Sequence, residues 1–532
     1  MTFASLKPQY DFVICGSGSS GSVVARRLAE NPDVSVLLLE AGGTDDIPAV
    51  MEASRWPTNL GSERDWGFKA EPSPHLNGRA VSLSMGKVLG GGSGINVMIW
   101  ARGHKSDWDF FASEAGDEGW NHEAVLDVYR RIEDWHGVPD PKYRGTGGPI
   151  FVQQAPEPNP IAPAMVEGAR SIGIPVFESN NGRMMEGDGG ASIMDIRVRD
   201  GRRQSVFRSY VFPYMDRPNL AVLTHALVTR VTFQGKRATG VEILYQGGTH
   251  RILAGAEVVL SLGAINTPKV LMQSGIGDQA ELKRFGIPVV QSLAGVGQNF
   301  RDHLALGCVW EYQDALPMRN NGAEATFFWK SDAALDSPDL HTCQGEVPLS
   351  SAENAARFGM PANGWTMFGG VVRPKSQGAI HLSGPRPSDP VKIEANFLSH
   401  PDDLKAAIAC VELRREIGNS AALRPYNRHE VMPCNLKGQE LERFVRDAVM
   451  TYWHQACTAK MGRDSRSVVD SRLRVYGVDN LRIADASIMP RVITGNTMAS
   501  CIVIGERAAE MIRADHKIPP DETKAVNVDS GI

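Results

Sequence analysis

A chain of 532 residues is too long for one small domain and predicts at least two hydrophobic cores. Hydrophobic residues at 42%, charged residues at 22% and a net charge of −5 describe a folded globular protein and exclude a strong pull toward nucleic acid or an anionic membrane. No apolar run approaches the roughly 20 residues needed to cross a bilayer, and the start lacks the basic and long apolar regions of a secretory leader, so a cytoplasmic protein is expected.

The first element is a buried parallel strand over residues 10–15, Tyr-Asp-Phe-Val-Ile-Cys. It runs into Gly16-Ser17-Gly18-Ser19-Ser20-Gly21 and then a helix that ends near Asn31-Pro32-Asp33. A second apolar strand over 34–39 leads to Glu40. Each part of this G-x-G-x-x-G unit has a physical role. Gly16 permits the tight turn, Gly18 lets backbone approach a pyrophosphate, and Gly21 allows close helix–strand packing. The helix N-terminus offers free N–H groups to phosphate, and Glu40 is placed for ribose hydroxyls. The unit predicts a dinucleotide; NAD and FAD both use it.

Further along, the chain carries Gly86-Lys-Val-Leu-Gly-Gly-Gly-Ser93-Gly-Ile95-Asn96-Val-Met-Ile-Trp100, then Gly263-Ala-Ile-Asn-Thr-Pro268 through Gly277. Gly295-Val-Gly-Gln-Asn299-Phe-Arg-Asp302-His303 follows, and later Leu481-Arg-Ile-Ala-Asp485-Ala486 and Gly495-Asn496-Thr-Met-Ala-Ser. The 7 cysteines fall in no ligand spacing and read as reduced, buried residues, so no metal site is expected.

Taken in order, these segments resemble the signatures of the glucose-methanol-choline (GMC) oxidoreductases, a family of FAD enzymes, over nearly the whole chain. The resemblance implies an α/β chain (α+β overall): a Rossmann-like FAD-binding domain, and a substrate domain with a large, mostly antiparallel sheet flanked by helices. The FAD domain is expected to be discontinuous, over 6–155, 220–305 and 460–515, with 156–219 and 306–459 as substrate domain and 516–532 as a loosely held tail. Strand-like alternation is read at 305–312 and 378–383, with loops at 145–149 and 384–390.

Transferred position by position, the resemblance puts Gly16, Gly18, Ser19, Ser20, Gly21, Glu40 and Ala41 at the dinucleotide. It puts Val88, Ser93, Asn96, Val97, Met98 and Ile99 along the flavin, and Val228 at the adenine. Asp485 and Ala486 fall by the ribityl and pyrophosphate groups. Thr497 and Met498 open a helix whose dipole favours negative charge on the reduced ring. Some relatives bind flavin covalently through a histidine just before the signature asparagine; here that position is Ile95, so non-covalent FAD is expected.

In Thr451-Tyr-Trp-His454-Gln-Ala-Cys, His454 matches the family's catalytic histidine, and Asn496 fills the second catalytic position. An alcohol releases hydride readily only as its hydroxyl proton leaves, so a base near neutral pH is needed, with a donor for the developing alkoxide. His303, His341 and His429 are read as structural, His303 packing beside the FAD domain. On the substrate side, Glu311 aligns with an acid that holds the ammonium of choline in some relatives, and Trp453 faces both cofactor and substrate. Trp310, Phe327, Phe328, Trp329, Trp365, Phe368 and Trp453 are candidate aromatic walls. Tyr452 stands where its size could affect oxygen access. The expected reaction is oxidation of a primary alcohol, with O₂ or a quinone or dye as electron acceptor. Choline, aromatic and aliphatic alcohols stay open, as does the oligomeric state. The competing reading is a non-redox relative, such as a hydroxynitrile lyase.

Overall fold

The computed structural model describes residues 6–519. Two large sheets organise them. The first has seven strands in the order Leu220–Leu223, Val36–Leu39, Gln9–Cys15, Gly248–Leu260, Arg237–Tyr245 and Leu227–Gln234, with Leu481–Ile483 also pairing on Gly248–Leu260. The pairings among Leu220–Leu223, Val36–Leu39, Gln9–Cys15 and the end of Gly248–Leu260 are parallel; Arg237–Tyr245 pairs antiparallel on both sides. Val36–Leu39 is buried at every position, as befits a parallel strand covered on both faces. Helix Ser19–Ala29 packs against helix Met498–Asp515, bringing an early and a late part of the described residues together.

The second sheet is antiparallel, in the order Asn427–Met432, Leu304–Tyr312, Gly364–Val371, Leu340–Gly345, Ala325–Trp329 and Gly190–Ile193, and Met450–Thr451 joins Leu304–Tyr312. Helices Ile161–Ser171, Pro401–Gly418 and Gly438–Ala448 pack on it. Strand period places alternate residues on opposite faces. On Gly364–Val371, Trp365 stacks on Trp310 at 4.9 Å and bonds Asn427, whereas Thr366 and Phe368 face a cavity. Strand Leu304–Tyr312 departs from the half-buried alternation expected at 305–312: every residue but Glu311 is buried, the strand lying inside the sheet with helices Pro401–Gly418 and Gly438–Ala448 packed on it. The region 378–383 holds the short strand Ala379–Leu382, paired with Val391–Glu394.

The stretch 156–219 is shared between the sheets. Its helix Ile161–Ser171 covers the antiparallel sheet, but helix Val206–Tyr210 packs on Ser19–Ala29, with the Tyr210 hydroxyl donating to Glu506 at 2.7 Å. At the other end, His516 is anchored: its Nε2 lies 3.0 Å from Glu257 and its ring meets Phe12 edge-on. The expected tail beyond residue 519 lies outside the described residues. Among the described residues, no helix is long and apolar enough to cross a membrane.

Candidate active site

A cavity of about 610 Å³ lies between the sheets. Its wall joins Leu39, Glu40, Ser261 and Leu262, at the carboxyl ends of parallel strands, to Cys343, Gly345, Thr366 and Phe368 of the antiparallel sheet. That is where an open parallel sheet presents its crevice.

One end of the cavity is made of backbone. Gly16 has φ +99°, and a Cβ there would stand 2.3 Å from the Ser261 carbonyl oxygen. Gly21 lies beneath the turn, where a Cβ would come within 1.9 Å of the Gly16 oxygen; it supports the wall without being part of it. Gly18, Gly92 and Gly263 have nothing within 4 Å of such a Cβ, which leaves open space beside the chain. Three long helices begin at the cavity with no side-chain cap, Ser19–Ala29, Gly263–Gln273 and Met498–Asp515, as does the single turn Gly92–Ile95. Their first N–H groups lack intrahelical partners and suit anionic oxygens.

The carboxylates at this end are built in. Glu40 accepts from the Ser17 N–H at 3.1 Å, the Ser17 hydroxyl at 2.7 Å and the Gly42 N–H at 2.8 Å. Burial pushes its pKa up against those bonds. Asp485 accepts from Gly263 N–H, Thr267 Oγ1 and Ser487 N–H, and burial raises it too. A carboxylate has about four acceptor sites, so Glu40 retains capacity for a ribose. Glycine turns open to the cavity, helix N-termini without side-chain caps and a buried acid after the second strand are the set a dinucleotide needs.

Along the signature segment, Ser93 donates to the Gly90 carbonyl and accepts from Val206 N–H. Asn96 Nδ2 lies 3.2 Å from the Met498 sulfur, while its Oδ1 accepts from Arg203 and Met98. Ser19, Ser20, Ala41, Val97, Ile99, Val228, Ala486 and Thr497 also line the cavity. Val88 and Met98 do not. Val88 turns inward onto Val50 and Ile95, and Met98, at φ +57°, is buried in the apolar cluster behind the wall.

The other end is made of side chains brought from distant parts of the chain. His454 Nε2 and Asn496 Nδ2 are 3.2 Å apart on the wall. Trp453 has φ +61°, a strained conformation for a bulky residue. It is held by its N–H donating to Thr451 Oγ1 at 2.7 Å. Asp302 clamps the same turn, accepting from the His454 N–H at 2.9 Å, from Gln455 Nε2 at 3.0 Å and from the Thr451 hydroxyl. Burial pushes Asp302 up to about 7, against those bonds. His454 is held well below the ordinary imidazole range, first by burial and then by His303 beside it.

His303 corrects the sequence reading. Rather than packing away from the chemistry, its Nδ1 lies 2.8 Å from His454 Nδ1. His341 bonds Thr326 at 3.0 Å and stacks on Phe328, in keeping with a structural role. Glu311 is a second correction. It is not on the cavity wall, and its carboxylate pairs outward with Arg428 at 3.0 Å and His429 at 3.3 Å. It shares a face with Gly307 and Val309, but its register pairs it with Gly364, at the end of the strand beyond the cavity-lining Thr366 and Phe368. Among the proposed aromatic walls only Phe368 and Trp453 face the cavity; Trp310 and Trp365 lie under the helices. Trp56, Trp66, Phe68 and Tyr452 line it as well, of which only Tyr452 had been noted, and Tyr452 also touches the Cys343 sulfur at 3.1 Å.

Comparison with known proteins completes the description. The N-terminal sequence pattern of the GMC oxidoreductases matches residues 10–305, and the C-terminal pattern matches 374–505. An oxygen-dependent choline dehydrogenase of Brucella anthropi is 37% identical, over 94% of this chain and 95% of its own. One from Pseudomonas aeruginosa is 36% identical, over 98% and 97%. The crystal structure of pyridoxine 4-oxidase from Mesorbium loti superimposes with a TM-score of 0.89 at 31% identity, covering 94% of this chain and 98% of that one.

Proposed function

The chain belongs to the GMC oxidoreductase family, and on that premise we propose that it oxidises a primary alcohol to the aldehyde, with His454 as base. The family implies FAD as cofactor and CH–OH groups as donors. FAD bound along the glycine turns supplies a two-electron acceptor for the hydride. We place it there non-covalently, because Ile95 offers no nucleophile where some relatives carry histidine.

The observation that carries the proposal is the His454–Asn496 pair on the wall of the cavity. The substrate oxygen lies on the cavity side of the pair, in reach of both: His454 Nε2 accepts its proton, and the Asn496 amide N–H stabilises the developing alkoxide. A depressed pKa keeps His454 unprotonated and ready to accept at neutral pH. The clamp by Asp302 fixes where the imidazole stands, so the proton is taken at one place.

The body of the alcohol packs among Trp56, Phe368, Tyr452 and Trp453. Phe368 and Trp453 are tilted at 5.8 Å, and Phe368 meets Tyr452 edge-on at 5.4 Å. Such a wall takes an aryl ring or, through its π faces, a quaternary ammonium such as the choline that the relatives' names specify. The same names, with "oxygen-dependent" and "oxidase", favour dioxygen as acceptor over a quinone. The test is an anaerobic panel of choline, pyridoxine, benzyl alcohol and short aliphatic alcohols, scored by bleaching of the flavin band and followed by air. Bleaching by at least one alcohol with rapid recovery in air supports the proposal. An unchanged band with every alcohol, as a lyase would give, refutes it.

A further inference from the structure

His303 and His454 meet through their Nδ1 atoms at 2.8 Å, and both rings are buried. Two nitrogens at that separation hold one proton between them, since two lone pairs repel and two N–H groups collide. A neutral imidazole carries a single N–H, so the location of that proton decides what His454 can do. If His303 donates, His454 must carry its own N–H at Nε2 and has no lone pair for an alcohol. If His454 donates from Nδ1, its Nε2 is bare and faces Asn496 and the cavity.

The surroundings favour the second arrangement. The Asn496 amide nitrogen stands 3.2 Å from His454 Nε2, a donor against a lone pair. His303 Nε2 makes no hydrogen bond, and the backbone carbonyls of Ile493 and Val372 near the ring favour an N–H on it. Of the other titratable groups packed on the pair, His341 lowers His303 further and so helps keep that ring neutral. Asp302 is spent on the 451–455 turn, the Tyr452 hydroxyl on Cys343 and the His341 Nε2 on Thr326, with Arg414 lying behind His341.

We infer that His303 is a positioning residue that holds His454 in the tautomer with a bare Nε2 and shares the charge that follows. This rests on His454 being the base. When the alcohol's proton moves from oxygen to His454 Nε2, the ring becomes imidazolium, and its Nδ1–H then donates to a neutral His303 in a charge-assisted bond. The proton returns to solvent after the aldehyde leaves, and the hydride goes to FAD, so no further reactant is required. The arrangement performs with an imidazole what a buried aspartate performs in serine hydrolases, which is to orient the base and stabilise its charged form.

The test compares His303→Leu, which removes the acceptor, with His303→Asn, which offers an amide oxygen close to the same place. Both are made as FAD-loaded enzyme and checked for flavin content by absorbance ratio. His303→Leu should slow flavin reduction roughly 10²-fold, short of the ~10⁴ that follows loss of a triad aspartate, with alcohol affinity and FAD content unchanged. His303→Asn should regain most of that rate. Nitrogen NMR of the oxidised enzyme, isotope-labelled at histidine and assigned by difference with His454→Ala, should show an unprotonated Nε2 on His454. That signature should survive in His303→Asn and become a tautomer mixture in His303→Leu. A protonated Nε2 in the unsubstituted enzyme, a Leu variant as fast as it, or Asn and Leu variants equally slow would each overturn the inference. Should His454→Ala itself reduce at the normal rate, the base assignment fails instead, which separates the two ideas.

Discussion

The two ends of the cavity are built from different materials. The end bounded by Gly16, Gly18, Gly91 and Gly263 is backbone: close approaches, helix N-termini and two acids already engaged by neighbouring donors. The end around His454 is side chain: an imidazole pair, an amide and aromatic rings drawn from residues 302–303, 368, 451–455 and 496. At Gly16 and Gly91 an added Cβ would meet backbone, and at Gly18 and Gly263 it would enter the cavity the cofactor needs, whereas a side-chain site depends on proton location and orientation. Substitutions at the first should therefore cost cofactor and fold, and substitutions at the second should cost rate while the cofactor stays.

The largest expected effect is on the backbone side. In Gly21→Ala the new methyl would sit 1.9 Å from the Gly16 oxygen, so the turn must move and FAD binding should be lost. Purified protein that remains as yellow as the parent would break the comparison at its root. On the side-chain side, Asn496→Ala should lower the rate of flavin reduction about 10²- to 10³-fold, the scale of a missing oxyanion donor. Flavin content measured by absorbance should be unaffected.

The pH dependence sharpens the contrast further. Because burial depresses His454, it accepts a proton to lower pH than a free imidazole with pKa near about 6.5. The acid limb of the reduction rate should lie below that value, and a limb at or above it would contradict a buried base. Stability carries the matching sign. His303 is lowered to about 3, so the folded state binds fewer protons than the unfolded one. Its contribution is complete above about 6.5 and is lost as pH falls from there toward about 3, which thermal melts across that window would register. The smallest effect belongs outside both regions. Glu311 forms only surface pairs, so Glu311→Gln should shift stability by less than about 1 kcal/mol. The Michaelis constant for any accepted alcohol should stay the same, and a large rise would return Glu311 to the substrate site.

The same division explains what could be read from the sequence. The glycine turn, the parallel strands and Glu40 are contiguous, and their spacing has a steric reason, so residues 10–40 state their purpose without help. The second sheet was foreseen only through family resemblance, because its strands lie in the separate stretches 190–193, 304–371 and 427–451. His454 and Asn496 were found the same way, by the segments around them. His303 falls within a motif, yet nothing in Asp302-His303 reveals that a residue 151 positions later folds its imidazole against the ring. Glu311 failed for a simpler reason. An alignment places a residue on a strand but does not say how far along it the cavity reaches, and Glu311 stands past Thr366 and Phe368, at the strand's end, paired with Arg428.

The central claim, that His454 takes the alcohol's proton beside bound FAD, is tested most directly by single-turnover mixing. FAD-loaded parent and His454→Ala proteins are combined anaerobically with an accepted alcohol, and the flavin band is followed. The account predicts full FAD content in both and reduction slowed about 10²- to 10⁴-fold in the variant; reduction of the variant at the parent's rate would contradict it.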